Sequence, residues 1–280
     1  MTGLLIVGGL TIDRFADGGT APGGSVLHAG LAAVEEGVRP TFLTVAGDEP
    51  DARAGLARLA ELGALIHQPS PVTTAYRHRE LAGRRVLTYD AASVPIAQPA
   101  ADVAADVALL APIADELTAA TVTSLRQGLE PRCTVMLIQG WLRRLELGSP
   151  VHPLPLDEVA DDLWETFAAA DAIVVSTEDL AEAPGDPFAQ TAVLRARLGP
   201  GPLLVVTLGA EGYLLDDPSA DRLTASVPRT VVDGVPTVGA GDTFGASLAL
   251  HLERGMTPTV AADAATERVI SVLESRRVEA

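Results

Sequence analysis

The chain has no lysine, no asparagine and a single cysteine, and aromatic residues make up only 4% of its 280 positions. Each scarcity removes a class of function. Without lysine every basic side chain is an arginine, so a P-loop, whose lysine reaches the nucleotide phosphates, is excluded. Without asparagine, any role filled elsewhere by that short amide falls to another residue or to water. Cys133 alone cannot form an internal disulfide or a CxxC metal knuckle, which fits a reducing compartment. The histidines, His28, His67, His78, His152 and His251, show neither HxH nor HExxH spacing, so no structural zinc site is expected. No apolar run approaches the ~20 residues of a membrane helix, and Met1-Thr2-Gly3-Leu4 does not begin an export signal. A cytoplasmic location is expected. Positive charge is scarce as well: a formal charge of −17 argues against nucleic acid or anionic membrane as partners and fits an enzyme of small molecules.

What is present is enough apolar material for a large core, 48% of the chain. Short apolar runs at Leu4 to Val7, Thr41 to Val45, Val107 to Leu110, Thr134 to Ile138, Ala172 to Val175 and Leu203 to Thr207 read as buried strands. Between them lie helical patterns at Leu27 to Glu36, Asp51 to Leu62, Leu117 to Gln127, Asp157 to Ala169 and Ala189 to Leu198. The alternation predicts a doubly wound α/β layer sandwich. Beyond Thr207 the texture changes to two short antiparallel strands, Gly212 to Asp216 and Arg222 to Val227, and then two helices from about Ala240. Thr73 to Leu81 and Arg84 to Tyr89, joined by Ala82-Gly83, read as a hairpin outside the main rhythm, and Gly148 to Pro155 as a loop. No linker separates two full domains, so residues 1–280 are expected to form one domain.

The segment Pro236-Thr237-Val238-Gly239-Ala240-Gly241-Asp242-Thr243-Phe244 carries the chemistry. Glycines before an apolar helix start let backbone N–H groups converge on an anion. Asp242 beside them is placed either to take a proton from a hydroxyl or simply to cap the helix.

This segment, in its order after two others, resembles the ribokinase/PfkB family of carbohydrate and nucleoside kinases over almost the whole length. Thr237 to Phe244 is similar to the family's D-T-x-G-A-G-D signature. Pro22-Gly23-Gly24-Ser25-Val26-Leu27-His28-Ala29 looks like its N-terminal di-glycine motif, with Val45-Ala46-Gly47-Asp48 at the usual distance, and Val205 to Gly212 like its T-x-G-x-x-G nucleotide strand. The resemblance implies a ribokinase-like three-layer α/β/α sandwich with a mostly parallel central sheet and a small β lid. It implies Asp242 as catalytic base and Gly239, Ala240 and Gly241 as anion hole. Thr207, Gly209, Gly212, Ser176 and Asp179 become candidates for the nucleotide, and Asp13, Gly23, Gly24, His28 and Arg143 for the acceptor. ATP and Mg²⁺ are the implied cofactors, with Asp179 a water-mediated metal contact.

The chain also departs from the family pattern. Pro236 stands where the family has the first Asp of its signature, at the monovalent-cation loop, which argues against potassium activation. The family's N-x-x-E appears as Ser176-Thr177-Glu178-Asp179, the Asn of the di-glycine motif as His28, and D-P-x-x-R as Gln139-Gly140-Trp141-Leu142-Arg143. Arg143 either steadies a phosphate or carboxylate or pairs with Glu146. The lid reduces to strands about 11–22 and 72–90, with Asp17-Gly18-Gly19 turning the first, so the protein is expected as a monomer or homodimer.

The expected activity is transfer of the ATP γ-phosphate to a hydroxyl of a small sugar, polyol or nucleoside. The alternative is a catalytically weakened ligand-binding or regulatory protein on a kinase fold. A nicotinamide oxidoreductase is disfavoured, since Leu10-Thr11-Ile12 after Gly8-Gly9 breaks the G-x-G-x-x-G spacing.

Overall fold

The computed structural model describes residues 3–81, 84–97, 103–181 and 185–279. The chain opens with β1 (Leu4–Gly9), β2 (Thr11–Arg14), β3 (Thr20–Gly23), α1 (Ser25–Glu35), β4 (Thr41–Ala46), α2 (Pro50–Leu62), β5 (Ala64–Pro69), β6 (Thr74–Leu81) and β7 (Arg84–Ala91). Next come β8 (Val107–Leu110), α3 (Ala119–Leu129), β9 (Cys133–Leu137), the short β10 (Arg143–Arg144) and β11 (His152–Pro153), α4 (Asp161–Ala168), β12 (Ala172–Ser176) and α5 (Pro187–Leu198). β13 (Leu203–Thr207), β14 (Tyr213–Asp217), β15 (Arg222–Ser226), α6 (Ala240–Glu253) and α7 (Pro258–Glu279) complete the order.

The main sheet has nine strands in the order β15-β14-β13-β12-β9-β8-β1-β4-β5, parallel from β13 to β5, with β14 and β15 antiparallel at one edge. Alternation along β1 shows why a continuous apolar run suits a strand covered on both faces. Leu4 and Ile6 enter the core shared with α1, α2, α6 and α7, whereas Leu5 and Val7 enter the core shared with α3, α4 and α5. Leu5 and Ile6 are wholly buried, each contributing about 1.5–3 kcal/mol of apolar transfer to its own layer. The result is the expected α/β/α sandwich. β5 was not expected: it is an edge strand, paired on one side to β4, and its only branched apolar residues are Leu65 and Ile66, too few to read as a buried strand.

The two segments outside the main rhythm join into one four-stranded lid sheet, β3-β2-β6-β7, in which β2 runs parallel to β6. Phe15 N–H donates to Gly19 O at 2.9 Å and Gly18 takes φ 87°, a left-handed value that glycine adopts at little cost, so the β2–β3 turn closes tightly. Asp90 on β7 accepts from Arg77 on β6 (2.6 Å) and pairs with Arg14 on β2 (3.2 Å), tying three lid strands together. The Ala82-Gly83 turn lies outside the described residues. The segment from Gly148 to Pro155 is less of a loop than its composition suggests, because β11 pairs with β10 and Pro150 bridges to Thr88 of the lid.

Candidate active site

The candidate residues gather at the carboxyl ends of the parallel strands, where an open α/β sheet leaves a crevice. β1 ends at Gly9, whose N–H donates to Glu116 Oε1 at 2.7 Å; Ile113 N–H (2.8 Å) and Ala114 N–H (2.8 Å) donate to the same carboxyl. Burial pushes the Glu116 carboxyl above its ordinary range, and these N–H groups counteract that rise. Glu116 thereby pins the strand end to the loop that follows β8. From that loop Ile113 O accepts both Tyr76 OH of the lid and Arg143 Nη1, each at 2.8 Å. Lid and sheet thus share an anchor.

Two helix starts meet over this floor. Gly24 caps α1 with φ 99°, and Gly239 caps α6 with φ 79°, neither with a side-chain cap. A Cβ on Gly24 would strike Gly9 O, one on Gly23 would strike Asp13 Oδ2, and one on Gly239 would strike the His28 ring at its Cγ. The glycines therefore mark close approaches between segments more than 200 residues apart in the case of His28 and Gly239. Gln139, in the short turn Ile138–Leu142 after β9, spans the same junction: its Nε2 lies 3.4 Å from both Ser25 Oγ on α1 and Asp242 Oδ1 on α6.

Asp242 is 6% exposed and sits in the first turn of α6. Ala240 N–H closes the turn onto Thr237 O at 3.1 Å, whereas the N–H groups of Gly241 and Asp242 have no carbonyl partner among the described residues. The donors this helix start leaves without a backbone partner are therefore those of Gly241 and Asp242, whereas Ala240, expected in the anion hole, spends its N–H within the turn. Asp13 on β2 contacts His78 Nε2 on β6 at 3.0 Å, so this carboxylate is held within the lid sheet, and Phe15 stacks beside His78 with ring centroids 5.2 Å apart.

Arg143 does not pair with Glu146. Its guanidinium bonds Ile113 O and Gln139 Oε1 (3.2 Å) and lies 5.8 Å from the Tyr76 ring centroid. Its charge reaches Asp179: burial raises the Asp179 carboxyl above its ordinary range, Arg143 opposes the rise, and Glu178 and Asp242 add to it. Asp179 and Asp242 are thus near enough to feel each other's charge.

On the other side of the crevice, Ser176 ends β12 opposite Thr207, the end of β13. Ser176 N–H donates to Asp179 Oδ2 at 3.3 Å and Ser176 Oγ accepts from Glu178 N–H at 3.2 Å, a capping box over one short turn. Gly209 (φ 60°) faces open space, while Gly212 (φ 101°) is required by the hairpin, since a Cβ there would strike Ser226 O. No group of three or more metal-ligating side chains occurs among the described residues. The oxygens at this turn, one carboxylate from Asp179 beside the Ser176 hydroxyl, fit a magnesium ion only if phosphates and water supply most of its ligands.

Sequence reasoning singled out Asp13, Gly23, Gly24, His28, Gly239 and Asp242, and the structure brings these together. It passed over Tyr76 and His78, and named Ser25 and Gln139 only within motif matches, with no role of their own. Gln139 had a signal, a polar residue two positions after a buried strand; the lid residues had none, because their place depends on β2 pairing with β6, as Thr11 does with Thr74, across 63 residues.

Residues 141–267 match the family model described as pfkB family carbohydrate kinase. A sequence comparison with curated proteins gives no significant match. Among solved structures, a pyrophosphate-dependent kinase in the ribokinase family, complexed with a pyrophosphate analog and myo-inositol, superposes with TM-score 0.76 at 18% identity, covering 94% of this chain and 92% of that one. Ribokinase from Thermotoga maritima gives TM-score 0.69 at 17% identity over 98% and 93% of the two chains. Arabidopsis thaliana ribokinase, complexed with ribose and ATP, gives 0.70 at 17% over 98% and 99%. Likeness at such identities is likeness of fold. The chain thus carries a pfkB carbohydrate-kinase match over residues 141–267, on a fold shared with ribokinase-family kinases over nearly its whole length.

Proposed function

We propose that the protein is a phosphotransferase that moves a phosphoryl group onto a hydroxyl of a small sugar, cyclic polyol or nucleoside. The observation that carries this reading is the meeting of two helix starts, Gly24-Ser25 and Gly239 to Asp242, around a buried carboxylate. Asp242 takes the proton from the attacking hydroxyl, a task that needs a carboxylate within hydrogen-bond reach of that hydroxyl. The donors at Gly241 and Asp242 hold the phosphoryl oxygens as charge spreads over them, and Gly239 sets the turn that aims them. Asp13, Gly23, Gly24 and His28 orient the acceptor, and Arg143 braces Gln139 beneath Asp242. Asp179 and Ser176 would hold Mg²⁺, which when bound would supply neutralisation of the phosphate charge, while Thr207, Gly209 and Gly212 border the donor.

The donor is ATP in the first reading. Pyrophosphate is the second, supported by the high superposition on a kinase named as pyrophosphate-dependent. Phosphoryl transfer measured with each donor and Mg²⁺ across a panel of sugars, inositols and nucleosides tests both. No transfer to any acceptor, with donor binding intact, would instead support a ligand-binding protein that has lost catalysis.

A further inference from the structure

The loop leading into α6 is held from an unexpected side. Arg276, near the end of α7, donates from Nη1 to Pro236 O at 2.7 Å and to Val238 O at 2.9 Å. The intervening carbonyls are engaged too: Thr237 O accepts from Ala240 N–H at 3.1 Å and Gly239 O from Thr243 N–H at 2.9 Å. Every carbonyl from Pro236 to Gly239 therefore faces an N–H donor. The carbonyls of Pro236 and Val238 converge on one point, as oxygens do around a hard cation, and here a guanidinium nitrogen occupies it. Pro236 brings no side-chain oxygen to help hold an ion, and its ring fixes φ at the loop entrance. The monovalent cation that the family resemblance implies does not fit these residues.

We propose that Arg276 is the built-in cation of the anion-binding turn. It is a positioning residue: it fixes the Pro236 and Val238 carbonyls so that the N–H groups of Gly241 and Asp242 stay aimed at the transferred group, and it makes the protein indifferent to potassium. The proposal rests on the phosphotransferase reading for its catalytic part only. A guanidinium remains protonated at every pH at which proteins fold, so unlike a bound ion this charge neither dissociates nor competes with salt. It also adds positive potential behind N–H donors that already favour an anion.

The test compares the wild-type protein with Arg276→Gln and Arg276→Lys in potassium chloride and in choline chloride at equal ionic strength. Amide hydrogen exchange across residues 237–243 and the thermal midpoint are read without any substrate, and kcat and KM are read with the donor and acceptor found active. The wild type should melt and turn over alike in both salts. Arg276→Gln should exchange faster in the turn and lose about 10–100-fold in kcat with little change in KM, as expected for misplaced donors. Potassium or free guanidinium should restore part of the loss. A potassium-specific gain in the wild type, or an Arg276→Gln protein that matches it in both exchange and kcat, overturns the proposal. Should no transfer be found with any acceptor, the kinase reading fails while exchange and salt-dependent melting still decide the role of Arg276. Should Arg276→Gln not fold, Arg276→Lys decides: a lysine that keeps the turn protected and salt-indifferent supports a positional charge, and one that leaves it as exposed as unprotected loop refutes it.

Discussion

Gly239→Ala places a side chain where the His28 ring already lies, and its cost divides into two parts that can be measured separately. The first is conformational: φ at Gly239 is 79°, and a residue with a Cβ pays about 1–2 kcal/mol in the left-handed region. The second is steric: the added Cβ would sit inside the contact distance of the ring's Cγ, Nδ1 and Cδ2, so His28 or the turn must move, at about 1–3 kcal/mol for overpacking. The total is about 2–5 kcal/mol, of which only the conformational part survives when the ring is removed. Denaturant unfolding of the wild type, Gly239→Ala, His28→Ala and the double variant closes the cycle. Gly239→Ala should cost about 1–3 kcal/mol less in the His28→Ala background, a coupling well above the ~0.5 kcal/mol expected of independent sites. Additivity within that margin would show that the ring and the turn do not touch, and with it would go the claim that the two helix starts share one site.

Three further outcomes follow from the same geometry. Asp242→Asn should lower kcat by about 10²–10⁴-fold while donor binding and the melting midpoint stay near wild type, and full turnover would remove Asp242 as the base. Glu116→Gln should cost about 1–3 kcal/mol in denaturant unfolding, because an amide has one acceptor oxygen and cannot serve the three N–H donors of Gly9, Ile113 and Ala114; an unchanged midpoint would refute that accounting. At Glu36, burial raises the carboxyl, but hydrogen bonds from Ser247 and Arg254 and the charges of His251 and Arg268 outweigh it and hold the pKa below 4.5. A depressed carboxyl gives stability that is present above its unfolded pKa and is lost as pH falls through the folded one, so Glu36→Gln should be less stable at pH 7 and lose less on acidification below about pH 4.5. Parallel wild-type and variant acid-unfolding curves would sink that assignment.

The parts of the fold that were legible were those whose information is local. A strand buried on both faces is marked by an apolar run, unbroken in β1, β8, β12 and β13 and interrupted in β4 only by the buried Thr44; β5 lies at the edge and needs none, so its sequence carries little signal. The same distinction governs the site. Gly23, Gly24 and Gly239 announce themselves because a backbone that must pass close to another segment excludes a Cβ, and that exclusion is written at a single position. Asp242 is legible because it stands three residues after such a glycine, in the first turn of a helix.

Residues whose role depends on long-range register leave no such mark. His78 meets Asp13 only because β2 lies parallel to β6, and a one-residue slip would turn His78 to the opposite face of the lid. Arg276 has still less local signal. In the sequence it is one of two adjacent arginines in the last turn of a helix, where basic residues are favoured whatever they contact. Only the packing of α7 against α6 brings it to the carbonyls of Pro236 and Val238. The sequence did carry the complementary half of that observation, a proline where the family resemblance implies an acid. An acid at position 236 would add an oxygen ligand to the loop; a proline removes it, and the guanidinium fills the carbonyls left behind. The departure and its compensation lie 40 residues apart, so each is unremarkable by itself, and they become one feature only in three dimensions.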